Sequence, residues 1–212
     1  MTIVGGVSTS AHRRDEYLQA ARIAVEPDAV HIELDLTPGI EMAAAVIADI
    51  DSNRDGSLSI EERRAYSNQV LSALQVEVDG KPLQVELADS GFPETEAMRR
   101  GEGTIRLQLA TTVPGQSTGT HQVLFRNTHH RDSSVYLANA LVPTSDRVAV
   151  TGQRRVGDQS ELTIDYVMRA PAETSLPIWL LSGIAAGASG MLGLRRGNST
   201  GRGGDSCAVP GS

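Results

Sequence analysis

The chain has 212 residues, 40% of them hydrophobic but only 3% aromatic, so its length fits one domain with tails and its core must be packed mainly from aliphatic side chains. Its net charge is −7, and because residues 195–212 carry a local +2 the rest carries −9, which disfavours a phosphate backbone as partner; no basic stripe interleaved with stacking aromatics offsets this, and nucleic acid is excluded as an expected ligand. The single cysteine, Cys207, lies in a Gly-rich tail, which excludes an intramolecular disulfide and removes thiolate zinc or nucleophile chemistry from the body.

The first eleven residues end in small side chains, with Thr9 and Ala11 spaced as the −3 and −1 positions of a signal-peptide cleavage site. A basic n-region and a long apolar stretch are missing, so residues 1–11 read as the remnant of a signal peptide or as a flexible N-terminus. Cleavage there makes His12 the new N-terminal residue. Next, Tyr17 to Val25 and Val30 to Leu36 alternate apolar and polar residues across a Glu26-Pro27-Asp28 turn, which predicts a β-hairpin.

The pattern then changes period. Ile40, Ala43, Ala44, Ile47 and Ile50 recur at helical spacing and predict an amphipathic helix. Directly after it, residues 51–62 read Asp-Ser-Asn-Arg-Asp-Gly-Ser-Leu-Ser-Ile-Glu-Glu, the spacing of an EF-hand calcium loop. Calcium is a hard cation that takes six to eight oxygens, and this spacing lets one short segment wrap it. Asp51, Asn53 and Asp55 are expected to supply side-chain oxygens and Ser57 its backbone carbonyl. Ser59 is expected to act directly or through a water, and Glu62 with both carboxylate oxygens. Gly56 falls where the loop needs a positive φ, and Leu58 where an apolar side chain pins it to the body. Tyr66, Val70 and Leu74, with Leu71 beside them, predict the exit helix, so residues 39–74 form the expected helix–loop–helix insertion. No second such loop occurs in the chain. An unpaired hand with Arg54 inside it is expected to bind weakly, and calcium to act as a structural clip rather than a switch.

Beyond the insertion the period returns to two. Gln75 to Val78, an Asp79-Gly80 turn and Leu83 to Leu87 predict a second hairpin. Residues 89–102 read as a long surface loop. Further strands are expected at Thr104 to Leu109, His121 to Phe125, Val135 to Ala140, Arg147 to Thr151 and Leu162 to Val167. Short strands with Gly, Pro, Asp and Ser turns predict a mostly β fold, a β-sandwich over residues 12–173 carrying the EF-hand insertion.

Residues 176–194 are nineteen in number and uncharged, with Trp179 near one end and Arg195-Arg196 after the other. They read as a single C-terminal transmembrane helix followed by a disordered tail over 195–212. The arginines place the main domain on the periplasmic or extracellular side of a bacterial cytoplasmic membrane.

With these residues in view the chain resembles the extracytoplasmic N-terminal domain of bacterial nickel/cobalt-type metal permeases and hydrogenase/urease-accessory-type permeases. The resemblance rests on Ala11-His12 with Tyr17, on Ile23-Ala-Val-Glu-Pro-Asp28, on Ile32-Glu-Leu-Asp-Leu36, on the calcium loop, and on Val76-Glu-Val-Asp-Gly-Lys-Pro-Leu83. It covers about residues 11–170 and is clearest up to residue 85. Those permeases continue into several membrane spans, whereas here there is one candidate span. The resemblance implies a membrane metal permease as a partner and transition-metal handling as an alternative function. Five histidines bear on that alternative: His12, His31, His121, His129 and His130. The run Asn127-Thr-His-His-Arg-Asp132 could bind Ni²⁺, Co²⁺ or Cu²⁺ through imidazole, against the plainer expectation of solvated loop histidines. Ser133, His129 or His130, and Asp132 lie too close in sequence to converge as a hydrolase triad, and no Gly-x-Ser-x-Gly elbow is present. No enzyme is expected.

Overall fold

The structure, a computed structural model, describes residues 16–171. They are mostly strand, arranged in two sheets, with three helices. β1 (Tyr17–Val25) and β2 (Ala29–Pro38) form the expected hairpin, in register from Tyr17 opposite Pro38 to Val25 opposite Val30. The alternation that predicted them is what buries one face: Ala21, Ile23, Val25, Ile32, Leu34 and Leu36 point into the core. The sheet is completed by β5 (Glu86–Gly91), β6 (Ile105–Thr112) and β8 (Ser134–Ala140), in the order β5-β6-β2-β1-β8. Its β1/β8 pair is parallel.

The second sheet has the order β4-β3-β7-β10-β9 and is antiparallel throughout. It comprises β3 (Leu74–Val78), β4 (Lys81–Leu83), β7 (Gly119–Asn127), β9 (Val148–Arg155) and β10 (Glu161–Met168). Val76, Val123, Phe125, Leu162 and Ile164 from this sheet join the residues above in one hydrophobic core. Between β2 and β3 the chain leaves the sheets for α1 (Ile40–Ile50) and α2 (Ile60–Ser72), so the helix pair is inserted where the chain passes from one sheet to the other.

Several sequence expectations need correction. The buried face of α1 is Ala43, Val46, Ile47 and Ile50, whereas Ile40 and Ala44 are exposed. Ile40 opens the helix at an exposed position and lies beside Gly101, where an added Cβ would meet its Cγ1 at 2.9 Å. Leu74 belongs to β3 rather than to the exit helix. Thr128 donates its N–H to the Ala73 carbonyl, turning the chain into the second sheet directly after the helix. The expected strand Leu83 to Leu87 is two strands, because the chain changes sheets between them: β4 pairs with β3, and β5 pairs with β6. The stretch 89–102 contains the end of β5 and a short helix, α3 (Thr95–Arg99), whose Met98 is fully buried. Among the described residues no helix is long and apolar enough to cross a membrane. The segments 1–11, 176–194 and 195–212, with His12, lie outside the described residues.

Met98 therefore acts as a core side chain under what reads as a loop. Met98→Ala should lower unfolding stability by about 2–5 kcal/mol, as for other buried truncations. Urea denaturation checks this, and a loss below about 0.5 kcal/mol, the range of surface substitutions, would contradict it.

Candidate metal centre

The loop between α1 and α2 begins where the helix stops. Asp51 caps α1, its N–H donating to the Ile47 carbonyl at 2.7 Å, and its side chain is nearly buried. Its carboxylate accepts from the N–H groups of Asp55 (3.1 Å, Oδ1) and Gly56 (2.9 Å, Oδ2). Asn53 Oδ1 accepts from the Asp55 N–H at 2.8 Å, and Asp55 Oδ1 from the Ser57 N–H at 2.8 Å. These short-range turns, which Asp and Asn side chains favour, curl the backbone around their own oxygens. Arg54 (φ 59°) and Gly56 (φ 84°) are left-handed. An added Cβ at Gly56 would meet no atom within 4 Å, so it is backbone conformation and not space that calls for glycine there. Leu58 sits in the core and pins the loop, as expected.

Glu62 joins the two ends of the loop. One carboxylate oxygen accepts from the Ser59 N–H (3.0 Å) and hydroxyl (2.7 Å), and the Glu62 N–H donates back to the Ser59 hydroxyl, a capping box that starts α2. The other oxygen accepts from the Ser52 hydroxyl at 3.0 Å and the Asn53 N–H at 3.2 Å. These donors, the Ser59 hydroxyl first, hold the carboxyl down to about 2. Asp51, Asn53, Asp55, Ser57, Ser59 and Glu62 thus share one loop. Among the described residues no three His, Cys, Asp or Glu side chains converge as a metal-holding group, and the loop carboxylates face N–H and O–H donors. The donor set is all oxygen, with three carboxylates against the one cation of Arg54, and its chemistry suits a hard divalent ion.

The helix pair is tied to the sheets by a buried polar seam that periodicity does not reveal. The Tyr66 hydroxyl on α2 lies 2.7 Å from the Tyr17 hydroxyl on β1 and 3.1 Å from His129 Nε2. His130, in the same turn, places Nε2 3.3 Å from Asp49 Oδ2 on α1. The His129 carbonyl accepts from Gln19 Nε2 (2.7 Å), the Ser134 hydroxyl (3.2 Å) and the Tyr136 hydroxyl (2.8 Å). Its N–H donates to Asn127 Oδ1 (2.9 Å), whose Nδ2 donates to Gln19 Oε1 (2.8 Å). His129 is therefore a buried structural side chain and not a solvated loop histidine. The signal that could have pointed to this seam is the pair Tyr17 and Gln19, two polar-tipped residues on the inward face of β1.

The remaining histidines are dispersed. His31 is exposed on β2, while His121 bonds Asp79 at 2.7 Å and the Ser117 carbonyl at 2.8 Å. Comparison of the chain with protein-family models, with curated proteins and with solved structures finds no match.

Burial, reinforced by the charge of neighbouring His130, lowers the His129 pKa to about 4 from an ordinary 6.5. A histidine held neutral in the fold contributes stability that is fully present above 6.5 and is lost as pH falls toward 4. The loss across that window should be about 3 kcal/mol, from 1.36 kcal/mol for each pH unit between the two values. His121 acts in the opposite sense: Asp79 raises its pKa, so its contribution is present below 6.5 and fades above it. Melts of wild type and His129→Gln between pH 7 and pH 4 check the assignment. The variant's curve should be flatter, and parallel curves would refute it.

Proposed function

We propose that the chain is a calcium-binding module, an EF-hand inserted into a β-sandwich, with calcium acting mainly as a structural clip. Asp51, Asn53, Asp55, the Ser57 carbonyl, Ser59 and Glu62 would hold the ion. The observation that carries this reading is Glu62, whose two carboxylate oxygens reach the start of the loop at Ser52 and Asn53 and its end at Ser59. A bidentate carboxylate at the twelfth position serves the same closing role around calcium. The left-handed Gly56 and the buried Leu58 support the same reading. Calcium would draw the loop's three carboxylates onto one ion and stiffen the link between the helices.

The proposed setting is the outer face of a bacterial cytoplasmic membrane, with residues 176–194 as a single-pass anchor. It rests on the uncharged run and the arginines that follow it. The alternative, a Ni²⁺, Co²⁺ or Cu²⁺ binding accessory to a membrane permease, draws on the family resemblance. Of its histidine donors, His129 Nε2 is already engaged by the Tyr66 hydroxyl.

Calorimetric titration of the chain with Ca²⁺ should give a Kd on the order of 10⁻⁴ to 10⁻³ M. Calcium at about one hundred times Kd should stabilise the fold by about 2.7 kcal/mol, read from melts in calcium and in chelator. In Glu62→Gln a charged bidentate ligand becomes neutral, and affinity should fall at least about tenfold, or about 1.4 kcal/mol. An unchanged affinity in that variant would falsify the site. Tight Ni²⁺, Co²⁺ or Cu²⁺ binding lost in a His129→Ala, His130→Ala double variant would instead favour the alternative.

A further inference from the structure

A groove of about 640 Å³ lies between α2 and β5. Its apolar lining includes Ile60, Leu71, Val85 and Leu87, and Ile60 is 78% exposed although it opens a helix that packs on the core. Arg63 and Arg64 stand on the same helix face, immediately after the end of the loop. None of the ion pairs among the described residues uses either arginine, and Glu86 on the opposite wall does not reach them. Arg63 Nε is buried without a hydrogen-bond acceptor. The Nη groups of Arg63 make no hydrogen bond or ion pair within the described residues and are not among the buried atoms, so a carboxylate in the groove can take them with a charge-assisted bond.

The other wall supplies a second kind of recognition. β5 is the last strand of its sheet and is hydrogen-bonded on one side only, to β6. Such an edge offers main-chain N–H and C=O groups to an added extended segment. The irregularity between Leu87 and Asp89 interrupts the ladder, so main-chain pairing here can only be short and side chains must carry most of the contact. An extended segment presents alternate residues to opposite faces. One set can lie on the aliphatic lining while the other reaches the arginines. The chain as a whole carries −7, so its overall field does not draw in anions, and selection for carboxylates must come from these two side chains locally.

We propose that this groove docks an extended segment of a partner protein that alternates aliphatic and acidic residues. The segment runs beside β5, with its carboxylates on Arg63 and Arg64 and its aliphatic side chains against Ile60 and Leu87. This inference does not depend on calcium occupying the loop.

The test uses the whole chain and a fluorescein-labelled octapeptide alternating valine and glutamate, with a valine–lysine octapeptide as control, read by fluorescence polarisation. The glutamate peptide should bind saturably, and the lysine peptide at least about tenfold more weakly. The Arg63→Ala, Arg64→Ala double variant should lose at least about tenfold in affinity without a fall in melting temperature, because neither arginine holds the fold through an ion pair and Arg63 Nε is an unsatisfied buried donor. Ile60→Asp, at an exposed position, should weaken binding in the same way. Equal binding of the two peptides, no saturable binding of either, or affinity indifferent to the arginines would overturn the proposal. So would arginine-dependent self-association in sedimentation, which would assign the groove to a second copy of the chain.

Discussion

The Tyr66 hydroxyl is the point on which the rest of the molecule's arrangement depends. A helix pair inserted between strands of two different sheets needs an attachment that fixes its orientation, and apolar contact alone is non-directional. A buried hydroxyl must find partners, and here the partners are Tyr17 on the first sheet and His129 in the turn after β7 of the second. One oxygen thus relates a helix to both sheets. His129 is itself held by Asn127 and by three donors on its carbonyl, none of them on a helix. Burial raises the pKa of both tyrosines and lowers that of His129, so all three are neutral at ordinary pH and no unpaired charge is buried in the seam.

The loop adds a second constraint, carried by Glu62. Its carboxylate begins α2 through the Ser59 capping box and also closes the loop onto Ser52 and Asn53. A carboxylate offers about four lone-pair sites, so accepting these donors and binding a cation are compatible demands on one side chain. The capping box lets α2 start in register without an ion. A cation would then act on a loop whose closing residue is already positioned.

How much of this was legible in the chain follows from how local each feature is. The β1–β2 hairpin and the Asp79-Gly80 turn were readable because alternation and turn chemistry act between near neighbours. The turns of the loop and its left-handed Gly56 were readable for the same reason, since Asp and Asn side chains bond backbone N–H groups a few residues on. The change of sheet between Leu83 and Glu86 was not, because nothing within five residues tells one long strand from two that pair with different partners. Met98 carries no periodic neighbours to announce its burial. His129 meets Tyr66 across 63 residues, and no local pattern separates a histidine held in that way from one in water.

The same attachments bear on whether calcium, if bound as proposed, would signal. Sensor hands respond by swinging one helix against the other and exposing an apolar groove. Here α2 is tethered to the turn at 129–130 by the Tyr66–His129 hydrogen bond, and Asp49 of α1 lies 3.3 Å from His130 Nε2 in the same turn without a hydrogen bond between them. Swinging α2 away would break the Tyr66 hydrogen bonds. It would also leave buried Tyr17 and His129 without their shared partner, a cost of about 1–3 kcal/mol for each group left unsatisfied. An ion bound at 10⁻⁴ to 10⁻³ M yields a few kcal/mol at most under saturating conditions, so little remains to drive such a swing. The free energy of binding is better matched to holding the loop than to moving the helices.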